Sequence, residues 1–326
     1  MADVICVGEL LVEFVSQANN VSLEDAPGFI KAPGGAPANV AVALQRLGLS
    51  SGFIGKVGND PFGQFLRRSL EQEGVDTRFL RVDAQARTTA VYVAVWDDGH
   101  KDLCFYRNPG ADAMLLSTEI DDTIFDRVRG FHYGSITLIE EPAAAAQRKL
   151  IELARQRGLM ISYDPNYRPT LWPSVERARE VIQDAFRYAH LAKVSWEEWE
   201  VATGSSDLEL GIRAVLEKGV ELLVVSRGAE GALVTNGDYR IELPAFPIHV
   251  VETTGAGDAF MAAMITNLLP EREKAGSLRR APFEQVKKAL RFATAAGALT
   301  CTRLGAIPAL PTLAETQAFL NQNGGE

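Results

Sequence analysis

Residues 148–163 read Arg-Lys-Leu-Ile-Glu-Leu-Ala-Arg-Gln-Arg-Gly-Leu-Met-Ile-Ser-Tyr. Leu150, Leu153 and Ala154 form one helical stripe, and Arg148, Lys149, Glu152 and Arg155 lie opposite it. Met160-Ile161-Ser162-Tyr163 then runs without alternation, as a strand covered on both faces does. A helix that leads at once into such a strand is part of a βαβ unit. The pattern recurs outward in both directions. Upstream stand Val4-Ile5-Cys6-Val7, a stretch with Val40, Leu44 and Leu47 on one helical face, and Gly52-Phe53-Ile54. Downstream stand Leu222-Leu223-Val224-Val225, helical spacing at Val286, Ala289, Leu290 and Ala293, and a closing helix from Thr312 to Leu320. Together they predict an α/β fold, a mostly parallel central sheet with helices on both faces.

Two segments depart from this pattern, Leu11 to Ala32 and Thr88 to Arg107. Val91, Val93 and Val95 alternate with Tyr92, Ala94 and Trp96, and Asp97-Asp98-Gly99 supplies a turn before Leu103-Cys104-Phe105-Tyr106. The expectation is a single domain over residues 1–326, with a small β-sheet lid formed by residues of about 11–33 and 86–108. The tail from Asn321 to Glu326 reads as disordered.

Composition narrows the function. The 326 residues are 47% hydrophobic and 23% charged, as in ordinary globular proteins. Lys plus Arg total 33 against 42 Asp plus Glu, a formal charge of -9 that argues against nucleic acid as a partner. Cys6, Cys104 and Cys301 form no Cys-x-x-Cys pair, which suits a reducing, cytoplasmic setting. The N-terminus lacks the basic start of a secretory signal. The apolar stretch Ala256 to Leu269 contains Asp258, Thr266 and Asn267 and is shorter than the roughly 20 residues that span a bilayer, so no membrane is expected. His100, His132, His190 and His249 show no metal spacing, and no Gly-x-Ser-x-Gly elbow is present. Trp172, Trp196 and Trp199 read as packing residues.

In open α/β sheets, ligands gather beyond the carboxyl ends of the strands. Here the strands lead into Gly8-Glu9, Gly55-Lys56-Val57-Gly58-Asn59-Asp60, Asp164-Pro165-Asn166-Tyr167-Arg168 and Ser226-Arg227-Gly228. Glu252-Thr253-Thr254-Gly255-Ala256-Gly257-Asp258-Ala259-Phe260 opens an apolar helix. Its glycines admit a ligand close to the backbone, and the free N–H groups of the helix start favour an anion. Asp258 beside an anion site is either a helix cap or a general base within reach of an attacking hydroxyl. Neither a dinucleotide fingerprint nor a Walker loop fits, because Phe260 stands where a third glycine belongs and Gly55-Lys56 is followed by Val57. Gly34-Gly35-Ala36-Pro37-Ala38-Asn39 starts another helix, with Pro37 suited to its first turn and Asn39 facing back toward the loop.

With these residues in view, the chain resembles the ribokinase-like (PfkB) sugar kinases over essentially its whole length. Gly34 to Asn39 resembles the first signature of the family, and Thr253 to Asp258 its second. Linking segments such as Phe105-Tyr106-Arg107-Asn108-Pro109, Leu171-Trp172-Pro173 and Gly305-Ala306-Ile307-Pro308 are similar to the fructokinase branch. The resemblance implies a three-layer α/β/α sandwich with a β lid, and ATP-dependent phosphorylation of a sugar hydroxyl. It implies Asp258 as base, the amides of Gly255, Ala256 and Gly257 as anion hole, and Arg168 near the transferred phosphate. The sugar would be held by Glu13, Gly34, Gly35, Asn39 and Arg107. The nucleotide would lie along Ser195, Ser226, Gly228, Gly231 and Thr294, with Mg²⁺ near Glu198 and a monovalent cation such as K⁺ left open. A homodimer through the lid is implied as well.

Fructose, phosphorylated on its 6-hydroxyl, is the expected substrate. Glu13 keeps 2-keto-3-deoxygluconate as the alternative, since fructokinase-like members usually carry Asp there; Arg107 would then grip the acid. From other classes, a sugar-binding regulator without catalysis is opposed by the retained Asp258, and a nicotinamide oxidoreductase by the missing third glycine.

Overall fold

The computed structural model describes residues 2–96 and 101–324. In chain order the first strands are β1 (Val4–Val7), β2 (Leu11–Ser16), β3 (Phe29–Gly34), β4 (Ser51–Gly58), β5 (Leu80–Asp83), β6 (Ala90–Val95) and β7 (Lys101–Tyr106). They are followed by β8 (Gly130–Tyr133), β9 (Met160–Tyr163), β10 (Leu191–Ser195), β11 (Leu222–Ser226), β12 (Ala232–Thr235) and β13 (Arg240–Leu243). The helices are α1 (Ala36–Arg46), α2 (Pro61–Gln72), α3 (Ala143–Gln156), α4 (Val175–Ala185) and α5 (Trp199–Thr203). Then come α6 (Leu208–Glu217), α7 (Ala256–Ala275), α8 (Phe283–Thr300) and α9 (Leu313–Gln322).

The large sheet has the order β13-β12-β11-β10-β9-β8-β1-β4-β5 and is parallel from β11 to β5, with β12 and β13 added antiparallel at one edge. Alternate residues of each strand feed two cores. Val4 and Cys6 of β1 pack in the layer of α1, α2, α7 and α8, whereas Ile5 and Val7 pack in the layer of α3, α4, α5 and α6. The expected three-layer sandwich is therefore present. The chain starts at the centre, builds outward through β4, then returns to β8 on the other side of β1. That reversal leaves a crevice beyond the carboxyl ends of β1 and β8, where such sheets bind ligands.

The second sheet has the order β3-β2-β6-β7, with β2 and β6 parallel and both outer pairs antiparallel. One face buries Leu11, Val91 and Val93 and looks toward the crevice. The other face is aromatic: Phe14 stacks on Tyr92 with ring centroids 5.0 Å apart, and Tyr106 is 66% exposed. The turn expected at Asp97-Asp98-Gly99, and His100, lie outside the described residues.

Two local expectations need correction. α9 continues through Gln322 on a Thr312–Glu315 capping box, so the chain from Asn321 to Gly324 is described and starts helical, not disordered. Trp172 and Trp199 are buried, but Trp196 is half exposed and stacks on Trp199 from outside. No described helix is long and apolar enough to cross a membrane.

Candidate active site

A cavity of about 1170 Å³ opens at the carboxyl ends of the parallel strands and reaches under the small sheet. Its lining joins residues far apart in sequence: Glu13, Gly35, Asn39, Arg168, Ser195, Glu198, Ser226, Gly228, Gly231, Thr294 and the run Gly255 to Asp258.

Gly255 caps α7 in the left-handed region, at φ 81°. A side chain there would be strained and would bring a Cβ within 3.2 Å of Ala306 Cα, which is why glycine occupies this bend. The Ala256 amide turns back to Thr253 O at 3.2 Å. The first helical bond within this turn runs from Ala259 N to Gly255 O at 2.8 Å, so the amides of Gly257 and Asp258 have no acceptor inside the helix. Of the amides from Gly255 to Asp258 expected to form the anion hole, that of Ala256 is the one engaged within the turn.

Asp258 is buried, and its Oδ2 accepts a hydrogen bond from Asn39 Nδ2 at 2.8 Å. No side chain caps α7, so the cap reading of Asp258 gives way to a carboxylate held by α1 across the crevice. Burial raises its pKa to about 6; the Asn39 bond and the charges of Lys193 and Arg168 oppose the rise, and Asp164 adds to it. Such a carboxylate is ionised at neutral pH yet poised to take a proton.

Glu13 reaches in from β2, and its pKa is raised to about 7 by burial, with Lys101 opposing and Glu252 and Asp258 reinforcing. Gly34 does not line the cavity. A Cβ on Gly34 would collide with the Glu13 carboxylate, so this glycine contributes by leaving space. Arg107 also stays out of the cavity. Its Nε donates to Asp112 at 2.8 Å and its Nη1 to Glu140 at 3.1 Å, with only 5% of the side chain exposed. The buried Asp112 carboxylate is stabilised by that charge, so here Arg107 turns to Asp112 and Glu140 instead of into the cavity, with its Nη2 left without a hydrogen-bond partner among the described residues.

Several cavity groups carried no assigned role in the sequence reading. Glu9 Oε1 accepts the Ala36 amide at 3.0 Å and so anchors the start of α1; burial raises its pKa to about 7. Lys193 on β10 donates to Asp164 Oδ2 at 2.7 Å, both groups being buried. Lys101 on β7 meets Glu252 at 3.5 Å and also bonds Thr254, joining the small sheet to the loop before α7. Glu252 in turn accepts the Gly305 amide at 2.7 Å. A lysine inside the apolar run Leu191 to Val194 was the legible signal for Lys193, and the strand-end positions of Glu9 and Asp164 were signals for those two. Lys101 had none. The strand-end loop from Gly55 to Asp60 does not join the site, because Lys56 pairs with Asp83 and Glu119 and Asp60 caps α2.

Among the described residues no three His, Cys, Asp or Glu side chains form a metal cage. The donors still suit a magnesium ion held mainly by phosphate oxygens and water. Asp164 Oδ1 is buried without a hydrogen-bond partner, and Glu198 lines the same wall. Both Glu198 oxygens are oriented by amides, Ser195 N at 2.9 Å and Tyr167 N at 2.7 Å.

The crevice has an acid beside a helix start with unpaired amides, polar groups at one end and a glycine-lined groove at the other, which suits a phosphotransferase. The sequence pattern of the pfkB family carbohydrate kinases matches residues 1–313, and the chain belongs to that family. It is a carbohydrate kinase. It is 41% identical over 321 residues to probable fructokinase-4 of Arabidopsis thaliana, a match covering 98% of this chain and 97% of the relative. Its fold is similar to that of fructokinase from Xylella fastidiosa with bound ATP, with a TM-score of 0.88, 30% identity and 99% of each chain covered. It is also similar to a double mutant of fructokinase from Vibrio cholerae O395 with fructose, ADP and potassium ion bound. There the TM-score is 0.86 and the identity 32%, with 98% of each chain covered.

Proposed function

We propose that this chain is an ATP-dependent fructokinase that phosphorylates the 6-hydroxyl of fructose. The observation that carries the reading is the buried Asp258, fixed by Asn39 at the mouth of α7. The sugar occupies the end lined by Glu13, Gly35 and Asn39, whose carboxylate and amide groups suit uncharged hydroxyls. ATP lies along Ser226, Gly228, Gly231 and Thr294, with its γ-phosphoryl group at the helix mouth. Asp258 accepts the proton of the 6-hydroxyl as its oxygen bonds to the γ-phosphorus. The bond from that phosphorus to the β,γ-bridging oxygen breaks, and ADP leaves with its electron pair. The amides of Gly257 and Asp258 and the guanidinium of Arg168 meet the charge spread over the equatorial oxygens. Asp164 and Glu198 would face a magnesium ion bound mainly to the phosphates, which would supply charge neutralisation.

The relatives' names favour fructose, and Arg107 does not line the cavity where a sugar acid would need it. Steady-state turnover with ATP and a sugar panel tests the reading: fructose should exceed 2-keto-3-deoxygluconate in kcat/KM, and the reverse order rejects it. We further propose that the small sheet acts as a lid. Its aromatic outer face, with Phe29 and Tyr106 both edge-on to Tyr92, would pair with a second copy. Sedimentation should then show a dimer that Tyr92→Arg converts to monomer; a wild-type monomer refutes the pairing.

A further inference from the structure

Lys193 stands in the floor of the cavity with 5% of its side chain exposed, on a strand that is otherwise apolar from Leu191 to Val194. A buried lysine is costly unless its ammonium has a purpose or a partner. Its hydrogen bond among the described residues goes to Asp164 Oδ2 at 2.7 Å. An ammonium carries three donors, so this bond leaves two for a ligand. The other neighbour is the anion site itself. A Cβ built on Gly257 would lie 3.3 Å from Lys193 Nζ, so the absence of a side chain at Gly257 opens the space between the ammonium and the first turn of α7.

We infer that Lys193 is a catalytic residue that donates hydrogen bonds to the phosphoryl group in flight, with Asp164 as the positioning residue that aims it. The inference rests on the kinase reading above and adds to it a second source of positive charge. The α7 amides approach the phosphoryl group from the helix and Lys193 approaches from strand β10. Lys193 gives up no proton in the step, because the hydroxyl proton goes to Asp258. Its charge matters most when the equatorial oxygens carry the most negative charge, so its loss falls on kcat rather than on nucleotide binding.

The test compares wild type, Lys193→Gln and Lys193→Met in the same ATP and fructose assay, with fold checked by circular dichroism. Gln keeps a donor for Asp164, so the buried carboxylate is not orphaned. We expect kcat to fall about 100-fold, the scale of one oxyanion donor. Both KM values should stay within about threefold, and calorimetry should show ATP binding kept while tight binding of ADP with fluoroaluminate and fructose is lost. A folded variant with kcat within about threefold of wild type, or one whose loss lies in the KM for ATP, overturns the inference. Should both variants misfold, a crystal structure of wild type with ADP, fluoroaluminate and fructose decides. Nζ at about 3 Å from a fluoride supports the assignment, and an ammonium bonded only to Asp164 overturns it. An inactive wild type would instead reject the fructokinase reading, so the two failures are distinguishable.

Discussion

Asp258 and Glu13 are both carboxylates facing one cavity, yet the regions that carry them are built differently. Asp258 lies on a helix packed into a continuous core that runs through α1, α7 and α8, and Asn39 holds it from a neighbouring helix. Glu13 rises from a four-stranded sheet whose own buried cluster is Leu11, Val91 and Val93. The small sheet reaches the loop before α7 through the Lys101–Glu252 contact, only partly shielded from solvent. On the proposed function, the group that needs fixed geometry stands on the deep core, whereas the groups proposed to enclose the sugar stand on a lighter sheet with a small core of its own.

The strongest challenge to this contrast is Asp258→Asn. It keeps a partner for Asn39 and should lower kcat by about 10²- to 10⁴-fold with the fold intact, as measured by steady-state kinetics. In wild type, kcat/KM should rise with pH through about 6 as Asp258 loses its proton, and the variant should lack that limb. The sign for stability is opposite. Because the folded pKa is raised above the ordinary 3.8, ionising Asp258 costs stability as pH rises through about 6. Thermal melts should therefore show Asp258→Asn more stable than wild type at pH 8, with the advantage gone near pH 3.

Arg107→Met probes the base of the small sheet. It strands the buried Asp112 and should cost about 3–5 kcal/mol in denaturant unfolding, with little change in the KM for fructose where the protein stays folded. A large rise in that KM without loss of stability would return Arg107 to the substrate. Glu13→Gln removes a charged acceptor and should lower kcat/KM for fructose about 10- to 100-fold, leaving the KM for ATP unchanged. The smallest effect belongs to Lys101→Met, which loosens the contact between the small sheet and the core. A rise in the KM for fructose of about two- to fivefold is expected, because a partly exposed pair contributes little. A loss as large as that of Asp258→Asn would show the small sheet to be as demanding as the core.

The alternation of residues 148–163, the glycine pair before α1 and the glycine turn before α7 are local patterns. Backbone sterics, side-chain periodicity and the unpaired amides of a helix start act over a few residues, so the sequence alone determined the sandwich, the open helix start and the presence of an acid beside it. What each charged side chain does depends on partners distant in sequence. Asn39 finds Asp258, Lys193 finds Asp164, Lys101 finds Glu252, and Arg107 turns to Asp112 and Glu140. Burial makes an unpaired charge so costly that packing selects these pairings, and only the tertiary structure decided which polar groups remained for the ligand.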